Sequence, residues 1–83
     1  MKQLLEKYYQ VLENRLKTEK ILLIVSNQSM FLKRINKIEN YKRRIEQVLS
    51  FEEELTNEQQ QFINTLINEL EDYEEELLEE QRL

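Results

Sequence analysis

Glycine and proline are both absent from this chain of 83 residues. Glycine supplies the backbone conformations of tight hairpin turns and proline marks turn positions, so hairpin-rich β architectures are disfavoured. Apolar residues instead recur every three or four positions, which is the spacing of one face of an α-helix. No segment alternates apolar and polar residues as a half-buried strand does. The pattern therefore predicts an all-α fold.

Three segments carry an apolar stripe, and we predict helices at about residues 2–25, 27–49 and 57–81. We expect a single helical domain over residues 1–83, folded as an antiparallel three-helix bundle, because short connections make successive helices antiparallel neighbours. The alternative is a long helical hairpin or coiled-coil dimer in which residues 2–49 form one helix. It arises because the polar segment at 26–29 contains neither glycine nor proline.

Two short polar segments predict where the helices begin. Ser26 is a suitable N-cap for the second helix, with Val25 and Met30 spaced as a hydrophobic staple. Thr56 and Gln59 have the spacing of a capping box at the start of the third helix, and Ser50 with Glu53 offers a competing box, so residues 50–56 are either a short helical turn or a loop. In a capping box the two side chains each accept a hydrogen bond from the other residue's backbone N–H. The sequence thus predicts turns near residues 26 and 53.

Three charged residues, Glu19, Lys42 and Glu74, fall within the apolar stripes. One interpretation is that they reach solvent from the edges of wide stripes. Another is that Glu19, Arg34 and Glu74, with Lys33 beside them, form a buried polar layer that fixes helix register near the first turn. A metal-binding or catalytic carboxylate pair is disfavoured, because carboxylate metal sites in helical bundles pair glutamate with histidine and this chain has none.

Charge is distributed unequally along the chain. Residues 1–50 carry 11 Lys and Arg against 5 Glu, whereas residues 51–83 carry 1 Arg against 12 acids. The second segment has a basic face. One interpretation is that this face contacts phosphates in a dimeric nucleic-acid-associated regulator, and the other is that it pairs with the acidic third segment. A turn near 53 would place Lys37 level with Glu69 and Arg34 level with Asp72. The basic face comprises Lys33, Lys37 and Arg44.

The third segment has an acidic C-terminal half. Like charges three or four residues apart destabilise a helix, and anions are disfavoured near its C-terminus. We expect this charge either to pair with the second helix or to bind a protein partner with a basic surface. The candidate partner-binding residues are Glu71, Asp72, Glu75, Glu76, Glu79 and Glu80.

The chain also lacks cysteine and histidine. It therefore has no thiolate nucleophile, no imidazole base and no ordinary zinc site, and it lacks a glycine-rich phosphate loop. We expect no enzymatic activity, no metal and no cofactor. The composition favours a small acidic adaptor or inhibitor that sterically occupies a partner, such as a nucleic-acid-binding protein, through the acidic helix.

The longest hydrophobic run covers only residues 21–25, which is too short to span a bilayer, so no membrane partner is expected. The N-terminal residues lack the apolar region of a secretory signal, and we expect a cytoplasmic location. We also expect a homodimer, because a core of this size rarely supplies more than about 3–5 kcal/mol without a disulfide or metal.

Overall fold

The computed structural model describes residues 2–82, and within them it contains three α-helices and no strand. The helices are α1 (Lys2–Ser26), α2 (Ser29–Leu49) and α3 (Asn57–Arg82). Their bounds differ from the expected ones by no more than two residues. The prediction of an all-α three-helix bundle is confirmed.

Consecutive helices run antiparallel, as contacts between them show. The Tyr9 hydroxyl of α1 donates a hydrogen bond of 2.6 Å to Glu46 near the end of α2. Lys37 of α2 lies 3.2 Å from Glu76 in the C-terminal half of α3. Because α2 is antiparallel to both neighbours, α1 and α3 run parallel to each other. The bundle is elongated, with principal extents of 46 × 23 × 19 Å.

The core is a single cluster that follows the apolar stripes. Of the stripe residues, Tyr9, Leu23 and Leu77 are only partly buried, because they lie at the margins of the cluster. Apolar burial of this kind is the main source of the bundle's stability. The fully packed members are Leu5, Leu12, Leu16, Ile35, Ile38, Tyr41, Ile45, Val48, Ile63, Leu66, Leu70 and Tyr73.

The first turn forms at Asn27, and the expectation that Ser26 caps α2 is wrong. Ser26 is the last residue of α1, and its hydroxyl donates a hydrogen bond of 2.8 Å to the carbonyl of Leu22. Asn27 adopts φ 54°, a left-handed conformation that asparagine tolerates better than most residues. Gln28 then takes the N-cap position without a side-chain cap. This break also means that residues 2–49 do not form one continuous helix.

The second connection, residues 50–56, is not helical and ends in the expected capping box. The Gln59 N–H donates to the Thr56 hydroxyl oxygen at 3.1 Å, and the Thr56 N–H donates to the Gln59 side chain at 3.0 Å. Phe51 in this connection packs edge-on against Phe62 of α3, with ring centroids 6.1 Å apart. The box fixes the start of α3 at Asn57.

Candidate functional site

A buried glutamate lies at the centre of a four-charge layer. Glu19 has no exposed surface, and its Oε1 atom lies 3.0 Å from Arg15 Nε and 3.7 Å from Arg34 Nη1. Glu80 of α3 lies 2.9 Å from Arg15 and 3.2 Å from Arg34. Two arginines thus face two carboxylates, and the layer joins all three helices.

The charges of this layer are balanced, but its hydrogen bonding is incomplete. Although Arg15 Nε is close to Glu19 Oε1, its N–H is not directed at that oxygen, so the contact is an ion pair without an aligned hydrogen bond. Glu19 Oε2 has no hydrogen-bond partner within residues 2–80. An under-satisfied buried carboxylate depends on its neighbouring cations, so removal of either arginine leaves a costly buried charge.

The structure places Glu19 and Arg34 together as expected, but it excludes Glu74 and Lys33 from the layer. Glu74 is exposed beside α1, where its carboxylate accepts a hydrogen bond of 3.2 Å from the Tyr8 hydroxyl. Lys33 is exposed on α2. Arg15 and Glu80 occupy the layer instead. Arg15 was overlooked because it lies beside the stripe, although its position four residues before Glu19 is a recognisable signal.

The register of α3 explains this difference. Arg34 pairs with Glu80 and not with Asp72, and Lys37 pairs with Glu76 and not with Glu69. Both partners lie about two helical turns further along α3 than a tight turn near residue 53 would give. The seven-residue connection carries the chain past the end of α2 before α3 begins, which shifts every level in the third helix.

The basic face of α2 is largely engaged within the bundle. Arg44 forms an ion pair with Glu69 of α3 and lies 5.7 Å from the centre of the Phe62 ring. Lys37 pairs with Glu76, and its ammonium group lies 5.0 Å from the Tyr73 ring. These contacts are those expected if opposite charges select the pairing of α2 with α3, although the individual partners differ from the predicted ones.

Lys42, the third charge within a stripe, reaches the edge of the bundle. Its ammonium group lies 5.0 Å from the ring of Tyr9, a cation–π contact that keeps the charge near solvent. The Tyr9 hydroxyl hydrogen-bonds to Glu46, which raises the pKa of that phenol. Deeper in the bundle, burial raises the pKa of Tyr73 to about 12. The Tyr73 ring packs against that of Tyr41 of α2, with the ring centroids 5.3 Å apart.

The acidic residues of α3 divide into two groups. Glu76 and Glu80, two of the six predicted partner-binding residues, face α2 and are paired with its cations. The remaining four are exposed and lie on the helix side opposite the core, with no ion pair to the part of the chain that the structure describes. We call these residues the acidic face: Glu71, Asp72, Glu75 and Glu79.

An exposed apolar surface lies at the α1–α2 turn, where the sequence analysis placed no site. Its most exposed side chains are Ile24 and Val25, at 82% and 78%. The sequence signal for this surface is the hydrophobic run at residues 21–25. We call this surface the apolar tip, and it comprises Ile21, Leu22, Ile24, Val25, Met30 and Leu32.

Over residues 2–82, no group of three or more acidic side chains is arranged to hold a metal ion, and no helix is both long and apolar enough to cross a membrane. The chain matches none of the protein-family models, curated proteins or solved structures with which it was compared.

Proposed function

We propose that this protein is a non-enzymatic interaction module, a small adaptor or inhibitor that binds a basic protein surface through the acidic face and occupies it sterically. One observation carries the proposal. The four carboxylates of the acidic face are exposed and unpaired within the described residues, whereas Arg34, Lys37 and Arg44 of α2 are paired with α3. The available charge on the α2–α3 side of the bundle is therefore negative.

The cost of arranging these carboxylates supports a binding role. Glu71 with Glu75, and Glu75 with Glu79, stand four residues apart on one helix side, and like charges at that spacing destabilise a helix. Glu79, in the last turn of α3, also has an unfavourable interaction with the helix dipole. A basic partner relieves both the repulsion between the carboxylates and the unfavourable interaction of Glu79 with the helix dipole. It also gains apolar contact with Leu78, which is exposed beside Glu75 and Glu79.

The alternative, phosphate contact through the basic face, has less support. Two of its three residues, Lys37 and Arg44, are already neutralised by Glu76 and Glu69. A nucleic acid would have to compete with these contacts and approach a chain of net charge −5. Only Lys33 of that face is exposed without an ion pair to residues 2–80.

Affinity capture with charge-matched variants tests the proposal. The immobilised wild-type chain is exposed to a lysate of the source organism, with and without nuclease, and bound proteins are identified by mass spectrometry. The test variant neutralises the acidic face through Glu71→Gln, Asp72→Asn, Glu75→Gln and Glu79→Gln. A control removes the same four charges from other exposed positions, by changing Glu52, Glu53, Glu54 and Glu58 to Gln.

We expect a nuclease-resistant basic protein that the wild type and the control retain and the test variant loses, since only the test variant removes the binding face. Equal retention by both variants would contradict the assignment of the acidic face. Complete loss of bound material after nuclease treatment would instead favour the basic face and a nucleic-acid ligand.

A further inference from the structure

The α1–α2 hairpin extends beyond the last ion pairs that α3 makes with it. These pairs join Glu80 to Arg15 and Arg34, while α1 continues to Ser26 and α2 begins at Ser29. Beyond this level, the side chains that the structure describes belong to α1, α2 and the turn between them. Six of the nine large hydrophobic side chains that are exposed on the described chain lie in the apolar tip.

Positive charge surrounds the apolar tip. Lys17 and Lys20 on α1 and Lys33 on α2 are exposed, and none forms an ion pair with the residues whose side chains are described. A surface that buries the tip must therefore combine apolar contact with negative charge at the rim. Interfaces commonly have this arrangement of an apolar centre and a polar rim.

We propose that the apolar tip is a self-association surface and that a second copy of this chain covers it in a two-fold, antiparallel arrangement. In that arrangement the exposed apolar side chains of each tip pack against those of the other copy. A two-fold axis makes the contact isologous, so both tips are buried at once and the assembly closes as a dimer.

Charge complementarity favours a second copy over other occupants. When two tips overlap antiparallel, each is brought beside the C-terminal turns of α3 of the other copy. Those turns expose Glu75 and Glu79, which complement the lysines around the tip. An anionic lipid surface would satisfy the lysines but would be repelled by the acidic face. Dimerisation and capture of the basic partner compete for Glu75 and Glu79, whereas the apolar tip belongs to the dimer alone.

The mass of the purified chain in solution, measured by sedimentation equilibrium over a range of concentrations, tests this inference. The wild type should be a dimer that dissociates on dilution. A variant with Ile24→Asp and Val25→Asp should be monomeric, because charges in the apolar tip oppose its burial. The variant should still fold, since both side chains are exposed in the single chain. Val11→Asp, which charges an exposed apolar residue in the middle of α1, is the matched control and should remain dimeric. Circular dichroism verifies that each variant is helical.

Charge exchange tests the orientation. One variant carries Lys20→Glu with Lys33→Glu, and the other carries Glu75→Lys with Glu79→Lys. Each alone should dimerise more weakly, because like charges then meet at the rim, and a mixture of the two should form a heterodimer. Failure of the mixture to recover dimers would overturn the proposed arrangement.

A wild type that stays monomeric up to about 1 mM, or a tip variant that dimerises as well as the wild type, would overturn the inference. Binding of a monomeric wild type to vesicles of anionic phospholipid would assign the tip to a membrane surface and would also overturn it. The proposed function is separable from these outcomes, since a monomeric tip variant that still captures the basic partner would leave the acidic face as its binding site.

Discussion

The Oε1 atom of Glu19 lies 3.0 Å from Nε of Arg15, one helical turn earlier in α1, and the glutamate has no exposed surface. Arg15 thus compensates the charge of a glutamate that is buried within an apolar stripe. Arg15 also contacts Glu80, so the same guanidinium that compensates the buried charge holds the C-terminal part of α3 against α1.

Replacing one member of this pair should cost far more than replacing both. Arg15→Met leaves Glu19 buried with only the more distant Arg34, and we expect a loss of about 2–3 kcal/mol in the free energy of unfolding. The double variant Arg15→Met, Glu19→Leu should recover most of that loss, because no uncompensated charge stays buried. Urea denaturation measures both variants.

Arg43→Met is the control for this comparison, because Arg43 is exposed, donates a hydrogen bond to the Glu39 carbonyl and forms no ion pair with the residues whose side chains are described. Its effect should stay within about 0.5 kcal/mol. A loss for Arg15→Met no larger than that of the control would show that the buried pair does not constrain the fold.

Zero-length cross-linking tests the register of α3. A carbodiimide joins an amine to a carboxylate that it already contacts, and Lys37 Nζ lies 3.2 Å from Glu76. The predominant cross-link from Lys37 should therefore reach Glu76, and Glu76→Gln should abolish it. Peptide mass spectrometry identifies the product. A predominant link from Lys37 to Glu69 would mean that α3 is shifted along α2 by about two helical turns from the position in the structure, as a tight second turn would require.

The first turn makes a separate prediction about backbone conformation. Asn27 has φ 54°, where a side chain with a Cβ atom is strained and glycine is not. Asn27→Ala should lower stability by about 1 kcal/mol, whereas Asn27→Gly should be close to neutral. Ser26→Ala serves as the control, since the Ser26 hydroxyl bonds back to the Leu22 carbonyl and caps nothing. Thermal melts that rank Ser26→Ala as the most damaging change would contradict this description of the turn.

The raised pKa of Tyr73 predicts how the free energy of unfolding changes at high pH. Its pKa in the folded chain is about 12, raised by burial from an ordinary value of 10.0. A raised pKa means that the protonated phenol stabilises the fold fully below about pH 10, and that this contribution is lost as the pH rises toward 12. The difference in unfolding free energy between the wild type and Tyr73→Phe should therefore change by up to about 2 kcal/mol over this range.

Paired urea titrations at about pH 9 and pH 11.5 measure this difference, and the comparison with Tyr73→Phe cancels the effect of lysine deprotonation common to both chains. A constant difference would mean that the Tyr73 phenol titrates normally and is not buried between α2 and α3.

The helices and the core were predictable because they depend on local patterns. The spacing of residues such as Ile35, Ile38 and Ile45 specifies a helix face, and Thr56 with Gln59 specifies a helix start. The pairing of Glu19 with Arg34 was predictable because the first turn is short.

The position of α3 was not predictable in this way. Its register depends on the conformation of residues 50–56, where Phe51 packs against Phe62 of α3. This tertiary contact has no periodic signal in the sequence. The register expected from a tight turn near residue 53 placed Glu74 in the buried layer and Glu80 outside it, whereas the structure has Glu80 in the layer. The apolar tip was not predictable either, because the exposure of side chains such as Ile24 and Val25 depends on how the helices pack and has no periodic signal.

The most direct test of the proposed function is to map the footprint of the captured partner on this chain by amide chemical-shift perturbation in NMR spectra. The proposal predicts that the largest changes fall on α3 at Glu71, Asp72, Glu75 and Glu79 and disappear when these residues are neutralised. A footprint centred on Lys33, Lys37 and Arg44 would contradict it, because the basic face of α2 would then be the binding surface.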